Sequence, residues 1–177
     1  MIITVSGLPG SGTTTASELL SEETGMELLS SGEVFRKMAM EKEMSLEEFS
    51  ELAEKNEEID KKLDQRMVER AKKGMILEGR LTGHLLERSE KEAFKVWLEA
   101  PLELRIERIA DREEVKEKKA LKRRVIKREK SENKRYKEYY DIDLDDISIY
   151  DMIIDSEKNS PESIVRKIIE GARDEIC

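Results

Sequence analysis

The sequence predicts an α/β fold in which a five-stranded parallel sheet is flanked by helices. Short apolar runs alternate along the chain with segments whose apolar residues recur at helical spacing, which is typical of a parallel sheet covered on both faces. A glycine-rich segment separates the first apolar run from the first helical pattern. The chain has 177 residues, a length that suits one domain with a substantial core.

The first strand is predicted at residues 2–6, a short apolar run. The helix that follows the glycine-rich segment has Ala16 and Leu20 on one face, and Gly25 is its predicted C-terminal stop. A second strand is predicted at residues 26–30.

A second helix is predicted to begin at Gly32. Ser45 and Glu48 form a capping-box pattern, which predicts another helix from the next residue onward. A further helix, which we expect Gly74 to end, has apolar residues at every fourth position: Ile59, Leu63, Met67 and Ala71. The third strand follows at residues 75–78.

The fourth and fifth strands are predicted from two further apolar runs, at residues 94–98 and 152–154. The only tryptophan, Trp97, lies in the first of these runs, so we expect it in the core. Pro101 opens a helix between the two strands, and Ser160 with Pro161 caps a final helix. Both helices have apolar residues on one face: Leu102, Ile106 and Ile109 in the first, Ile164, Ile168 and Ile169 in the second.

Composition argues against a disordered chain, a membrane-spanning helix and an internal disulfide. Charged residues make up 42% of the chain against a usual share of about 25%, yet the clear apolar periods argue against disorder. No apolar run reaches the roughly 18 residues of a membrane helix, and no basic region precedes the apolar amino terminus. The single cysteine, Cys177, excludes an internal disulfide and fits a reducing compartment. We therefore expect a cytoplasmic protein without a membrane partner. We also expect a monomer.

The charges are unevenly distributed. The chain has a net charge of −8, whereas residues 111–137 contain 13 basic and 6 acidic residues. An acidic protein with one basic arm is unsuited to coating nucleic acid but suits a small polyanionic ligand that the arm can reach. A solvated helix with opposite-sign pairs is the alternative interpretation of the arm.

The glycine-rich segment has the composition and position of a phosphate-binding loop. Glycines allow successive backbone N–H groups to turn toward phosphate oxygens, and the amino terminus of the next helix adds partial positive charge. One residue departs from the usual pattern, because Thr13 stands where lysine is expected. Either the loop is non-catalytic, or positive charge comes from elsewhere, and the basic arm is one source. We predict ATP-binding residues Gly7, Leu8, Pro9, Gly10, Ser11, Gly12, Thr13, Thr14 and Thr15, with Thr14 as a ligand of Mg²⁺.

Polar residues also follow the second and third strands. Ser31 and Arg36 come after the second strand, and Glu78 and Arg80 end or follow the third. The carboxyl ends of parallel strands meet at one edge of the sheet, where open α/β sheets bind ligands. We therefore predict that the two arginines hold an acceptor phosphate and that Glu78 orients Mg²⁺ through water. A surface ion pair is the alternative for either arginine taken alone.

Cations in the arm suit phosphoryl transfer. Arg124 and Arg128 are four residues apart and share a helical face, and Arg135 lies two turns beyond Arg128. Arginines on a closing lid can neutralise the moving group and exclude water. Glu132 is either a surface salt bridge or an acceptor for a ribose hydroxyl. The only histidine, His84, is not expected to form a metal site or a general base.

Along nearly its whole length the sequence resembles the archaeal-type cytidylate kinases, which are P-loop nucleoside monophosphate kinases. Four segments carry the resemblance: Gly-Leu-Pro-Gly-Ser-Gly-Thr-Thr-Thr at 7–15, Ser-Gly-Glu-Val-Phe-Arg at 31–36, Leu-Glu-Gly-Arg at 77–80 and Lys-Arg-Glu-Lys-Ser-Glu-Asn-Lys-Arg-Tyr at 127–136. The resemblance implies ATP and CMP as substrates, with dCMP as a second acceptor. It also implies a P-loop kinase core at residues 1–32, 75–110 and 136–177, a monophosphate-binding insert at 33–74 and a lid at 111–135.

The resemblance also implies roles for individual residues. Arg36 and Arg80 would hold the acceptor phosphate, Glu132 would contact the ribose, and Arg128 and Arg135 would bridge donor and acceptor phosphates. One position departs from the bacterial branch, where an aspartate after the Gly-Arg pair reads the cytosine edge. That position is Leu81 here. Base reading must come from other groups, and our candidates are Asp60 and Asp64 on an insert helix, because carboxylates accept from the cytosine amino group.

Two alternatives to a cytidylate kinase stay open from the sequence. The apolar Leu81 leaves room for a P-loop kinase that acts on AMP or UMP. Thr13 leaves room for a nucleotide-binding regulatory protein without catalysis, although such a protein would not need a second phosphate clamp.

Overall fold

The computed structural model describes residues 1–174, with the side chains of Glu47 and Asp174 left aside; Cys177 lies outside the described residues. Its sheet has five parallel strands in the order β2-β3-β1-β4-β5, which confirms the predicted fold class. The strands are β1 Ile2–Gly7, β2 Glu27–Ser30, β3 Met75–Glu78, β4 Ala93–Glu99 and β5 Met152–Asp155.

Eight helices are present in residues 1–174, namely α1 Thr13–Thr24, α2 Ser31–Glu41, α3 Leu46–Lys55, α4 Glu57–Arg70, α5 Thr82–Arg88, α6 Leu102–Arg112, α7 Lys118–Tyr140 and α8 Pro161–Asp174. The capping box predicted at the start of α3 is present, with the Ser45 hydroxyl accepting from Glu48 N and the Glu48 carboxylate accepting from Ser45 N. The predicted boundary between lid and core at 135/136 falls inside α7.

The prediction that Gly74 ends α4 was wrong. The helix ends at Arg70, because Ala71 leaves the helical conformation after its N–H has bonded to the carbonyls of the last turn. Gly74 instead makes the turn into β3, with a φ angle of 88° that suits glycine. Its N–H donates to the Met1 carbonyl (3.0 Å), which ties this turn to the start of β1.

Alternate residues of the strands face two separate cores. Ile2 and Leu77 pack on one face with the insert helices, around the fully buried Phe49 of α3. Ile3 and Val5 pack on the other face against α1 and α8. The central strands therefore have both faces covered, as expected for a parallel sheet, whereas Ile153 of the edge strand β5 is 45% exposed. Trp97 is buried in β4, as predicted.

The long helix α7 is joined to the rest of the molecule by two smaller apolar clusters. Its Leu121 and Val125 pack against Ile106 and Ile109 of α6. Near its other end, Tyr136 and Tyr140 pack against a buried group made of Leu81, Ile142 and Leu144. This double attachment lays the charged middle of α7 across the carboxyl edge of the sheet, beside the ends of β1 and β3.

Candidate functional site

The loop between β1 and α1 is shaped by two glycines in a conformation that other residues avoid. Gly10 and Gly12 have φ angles of 84° and 99°. The loop is closed by a hydrogen bond from Ser11 N to Leu8 O (3.0 Å). Gly12 is the N-cap of α1 and makes no side-chain cap, so the N–H groups of the first helical turn are left for a ligand.

Close packing explains why glycine is needed at two positions of this loop. A Cβ atom on Gly7 would lie 2.6 Å from the carbonyl oxygen of Leu98 in β4. A Cβ atom on Gly10 would lie 2.6 Å from the carbonyl oxygen of Arg105 in α6. The phosphate loop is therefore pressed against the neighbouring strand and helix, which fixes its shape in advance of binding.

The Glu78 carboxylate links the phosphate loop to the segment after β2. Thr13 Oγ1 donates to one carboxylate oxygen (2.8 Å), and Ser30 Oγ donates to the other (2.7 Å). Glu78 is nearly buried and has no cationic partner among the described side chains. The residue that replaces the expected lysine thus binds a carboxylate at the carboxyl end of β3.

Arg80, Glu132 and Arg128 form a connected group of charges. Buried Glu132 on α7 pairs with Arg80 and accepts from Arg128 Nε (2.8 Å). The side chain of Arg80 is 20% exposed, whereas that of Arg128 is 64% exposed. Glu132 is therefore not a surface salt bridge, because it joins the arm to the end of β3 beneath the surface.

The two insert aspartates contact α7 through different partners. Arg135 Nε donates to Asp60 Oδ2 (3.3 Å), and the Tyr140 hydroxyl donates to Asp64 Oδ2 (2.6 Å). Arg135 also donates to the Ser131 hydroxyl (3.2 Å). Asp64 lines a cavity of about 320 Å³ between α4, α5 and the end of α7. The insert and α7 are thus connected through both carboxylates that we predicted to read the base.

Burial shifts the pKa values of these groups. Desolvation raises the pKa of Asp64 to about 7, and the hydrogen bond from Tyr140 only partly opposes it. Desolvation also raises the pKa of Asp60, against the attraction of Arg135. The pKa of Arg80 is lowered to about 10 by burial, so this side chain stays charged at neutral pH. Charged and titrating groups with restricted access to water are typical of functional sites.

Arg36 and Thr14 are exposed and free to meet a ligand. Arg36 lies one turn into α2 and makes no hydrogen bond or ion pair to any described side chain. Thr14 lies at the start of α1, next to the Thr13–Glu78 bond. Ser31 begins α2 and packs on Gly79, since a Cβ atom there would lie 2.4 Å from the Ser31 hydroxyl.

Three residues that drew attention in the sequence lie outside this group. Arg124 does not accompany Arg128 into the site but pairs with Glu113 at the surface (2.7 Å). Leu81 is buried in the apolar cluster with Ile142 and Leu144, which explains why it cannot read a base. His84 is buried against Tyr150, with the rings 5.8 Å apart, and burial lowers its pKa.

Sequence reasoning missed two arginines that contact the phosphate loop. Arg105 and Arg108 of α6 donate hydrogen bonds to carbonyl oxygens of residues 9–11. The available signal was the pair of arginines one turn apart on the helix that follows β4, since this helix begins at the same edge of the sheet as the loop.

Other kinds of site find no support in the described part of the chain. Within residues 1–174, no three histidine, cysteine, aspartate or glutamate side chains are grouped so that they could hold a metal ion by themselves. None of the helices in that range has the length and apolar character needed to cross a membrane.

The five-stranded parallel sheet and the loop between β1 and α1 define the class of this protein as a P-loop kinase. Solved structures support the fold: a shikimate kinase from Aquifex aeolicus aligns with a TM-score of 0.62 at 16% identity, covering 99% of this chain and 98% of the other. A gluconokinase from Sinorhizobium meliloti aligns with a TM-score of 0.61 at 16% identity, covering 97% and 91%.

Sequence comparison defines the family more narrowly. A cytidylate kinase from Methanocaldococcus jannaschii is 48% identical over 178 residues, covering 99% of both chains. One from Methanosarcina barkeri is 52% identical over 160 residues, covering 89% of this chain and 88% of the other. Residues 2–158 match the model of the cytidylate kinase-like family, and the chain belongs to that family.

Proposed function

We propose that the protein transfers the γ-phosphoryl group of ATP to CMP, and to dCMP as a second acceptor, giving ADP and CDP or dCDP. The observation that carries the proposal is the two-sided arrangement around Glu78. This carboxylate accepts from Thr13 in the donor loop and from Ser30 next to the predicted acceptor segment. The curated relatives named above, cytidylate kinases by name, support CMP as the acceptor.

The reaction needs positioning and charge neutralisation more than proton transfer. The acceptor is itself a phosphate with a second pKa near 6, so its oxygen is already an anionic nucleophile at neutral pH. That oxygen forms a bond to the γ-phosphorus while the bond from the γ-phosphorus to the β,γ-bridging oxygen breaks, and ADP leaves with the electron pair. Holding the two nucleotides in line supplies much of the rate enhancement.

In this proposal two pairs of arginines have different roles. Arg36 and Arg80 hold the acceptor phosphate, with Arg36 free in solvent and Arg80 held in place by Glu132. Arg128 and Arg135 of α7 bridge the donor and acceptor phosphates and offset charge in the transition state. Glu132 contacts the ribose and, through its two ion pairs, fixes the spacing of Arg80 and Arg128.

The residues present fit a magnesium ion. The Thr14 hydroxyl is exposed, and Glu78 accepts only from neutral hydroxyl groups, so its negative charge is left for a cation. Mg²⁺ prefers oxygen ligands and keeps several waters, which agrees with Thr14 as a direct ligand and Glu78 acting through water. When bound, the ion would neutralise charge on the donor phosphates.

We assign reading of the base to Asp60 and Asp64. Both lie on α4 and contact α7, Asp60 buried and Asp64 half-buried, and a carboxylate accepts from the amino group that distinguishes cytosine from uracil. All the proposed site residues come from one chain, so a monomer is sufficient for the reaction.

An ADP-release assay with CMP, dCMP, UMP, AMP and dTMP tests the proposed function. We expect kcat/KM to be highest for CMP and dCMP. Asp60→Asn and Asp64→Asn should each lower the ratio of kcat/KM for CMP to kcat/KM for UMP about tenfold, because a lost or reversed polar contact to a base is worth about 1–3 kcal/mol. Glu57→Gln, an exposed change on the same helix, is the control and should leave the ratio unchanged.

Two results would redirect the proposal. Equal or higher turnover of AMP or UMP would indicate a kinase for another monophosphate, which the apolar Leu81 allows. Binding of ATP without turnover of any monophosphate would indicate a regulatory nucleotide-binding protein, which Thr13 in place of lysine allows.

A further inference from the structure

Two arginines of α6 contact the phosphate loop from the side of its carbonyl oxygens. Arg105 Nη1 donates to Pro9 O (3.1 Å). Arg108 Nη1 donates to Gly10 O (3.2 Å) and more weakly to Ser11 O (3.4 Å). The backbone of α6 lies directly against the same loop, as the missing Cβ of Gly10 requires. Both guanidinium groups therefore lie behind the cradle, opposite the N–H groups that face a ligand.

The two arginines differ in how their charge is balanced. Arg105 is buried and forms an ion pair with Glu129 of α7. Arg108 donates to the hydroxyl and carbonyl oxygens of Ser156 (2.9 and 2.8 Å), which are neutral. No carboxylate of residues 1–174 lies within ion-pair distance of it, Glu47 and Asp174 aside. Arg108 therefore adds an uncompensated positive charge directly behind the phosphate loop.

The charge of Arg108 can replace part of the charge of the lysine that is absent at position 13. In a loop of the usual composition the lysine supplies positive charge from inside the cradle, whereas Thr13 is neutral and its hydroxyl is engaged by Glu78. A cation that donates to a peptide carbonyl polarises that peptide and strengthens the N–H group at its other end as a donor. For Arg108 this applies to the Gly12 N–H, through Ser11 O, because the Ser11 N–H already donates to Leu8 O. The positive field of the cation also extends through the thin loop to phosphates on the other side.

We propose that Arg108 is a positioning residue that supplies, from behind the loop, part of the positive charge that lysine supplies in other phosphate loops. Arg105 braces the same loop, but Glu129 balances its charge. The inference rests on the proposed donor site, and it adds a source of charge that does not depend on the arm.

Binding of two probes to Arg108→Gln tests the inference by calorimetry. Because the effect acts on phosphates, affinity for ATP and for inorganic tripolyphosphate should both fall about tenfold or more, by similar factors. Arg108→Lys keeps the charge and should retain most of the affinity for both probes. Arg166→Gln removes an exposed arginine from α8 and is the matched control, with unchanged affinity expected.

A rescue experiment separates charge supply from support of the fold. Adding Thr13→Lys to Arg108→Gln should restore part of the tripolyphosphate affinity, because the new lysine places charge in the cradle. No restoration in a double variant that unfolds with the same midpoint as Arg108→Gln would overturn the inference. So would a loss for ATP with tripolyphosphate binding unchanged, since Arg108 would then act on the nucleoside.

Two further outcomes are informative: failure of Arg108→Gln to fold, and failure of the unchanged protein to bind ATP. If Arg108→Gln does not fold, Arg108→Lys is compared with the unchanged protein: tripolyphosphate affinity within about threefold supports charge supply, and a larger loss contradicts it. If the unchanged protein binds no ATP, the proposed function itself fails. If it binds ATP and Arg108→Gln binds equally well, only the present inference fails.

Discussion

One buried carboxylate, that of Glu132, positions the arginines on the proposed acceptor side of the site. Arg80 is held by Glu132, which also holds Arg128, so one carboxylate sets the position of two cations. Removing one partner of a buried pair is expensive because the other is left without compensation. Here the cost is moderated, since Glu132 would keep Arg128. The residues proposed to act on phosphate are therefore also residues that stabilise the join between α7 and β3.

Arg80→Ala should reduce kcat/KM for CMP by about 10²–10³-fold, the usual cost of removing a donor that acts in the transition state. The variant should still fold, with a free energy of unfolding lowered by about 1–3 kcal/mol, because Glu132 loses its more buried partner. Steady-state kinetics and urea unfolding measure the two effects. Arg66→Ala, which breaks an exposed pair with Glu41, is the control for both. Unchanged kinetics with CMP would remove Arg80 from the site.

Asp64 should make the free energy of unfolding fall as pH rises toward neutrality. Its pKa is about 7 in the folded protein against an ordinary value of 3.8. Below pH 3.8 the Asp64 carboxyl is protonated in both the folded and the unfolded chain, so it does not lower the free energy of unfolding. Between pH 3.8 and 7 the unfolded chain ionises first, so the free energy of unfolding falls as pH rises. The total loss is on the order of 4 kcal/mol, and it is complete above pH 7.

Asp64→Asn should remove this dependence, because the amide cannot ionise and its oxygen can still accept from Tyr140. The variant should equal the unchanged protein near pH 4 and exceed it in free energy of unfolding near pH 7.5, measured with urea at both pH values. A difference between the two proteins that stays constant over that range would contradict the assigned pKa.

At the scale of elements, one aromatic contact joins two helices of the insert, α2 and α3. Phe49 of α3 is fully buried, and its ring lies 4.8 Å from that of Phe35 in α2. Phe49→Ala should lower the free energy of unfolding by about 3–5 kcal/mol, because it removes buried area and leaves a cavity. Leu46→Ala on the same helix, where the side chain is 47% exposed, should cost far less. Equal losses in urea unfolding would mean that α3 is not packed as described.

Local signals predicted most elements, and tertiary contacts decided the rest. The capping box fixed the start of α3 because its hydrogen bonds are local. Helix α5 escaped prediction because it has seven residues and includes Gly83, so periodicity cannot identify it. It is held by contacts distant in sequence: Gly83 N donates to Ser6 Oγ (3.3 Å), and Tyr150 fills the space that a Cβ on Gly83 would need.

The same division applies to the candidate site. Glu78 and Arg80 were predicted from their place at a strand end, which the alternation of strands and helices determines. Their partners were not predictable, because the contacts of Glu132 with Arg80 and of Thr13 with Glu78 depend on how α7 and α1 pack. The partners of Arg108 depend on packing in the same way, since Gly10, Ser11 and Ser156 are all distant from it in sequence.

At the scale of the whole molecule, one edge of the sheet gathers every part of the site. The phosphate loop follows β1, Ser30 ends β2, Glu78 ends β3, and α6 with Arg108 follows β4. Ser156, directly after β5, accepts from Arg108 and closes the series. The basic helix α7 then crosses this edge and brings cations to a chain whose net charge is −8. A small polyanion thus meets positive charge where the loop, the strand ends and α7 converge.

The central claim is that the loop between β1 and α1 binds nucleotide phosphates although Thr13 replaces lysine. Calorimetric titration of the folded protein with Mg²⁺-ATP, in the absence of CMP, tests it most directly. We predict saturable binding of one ATP per chain. An absence of saturable heat from protein that is folded by circular dichroism would contradict the account.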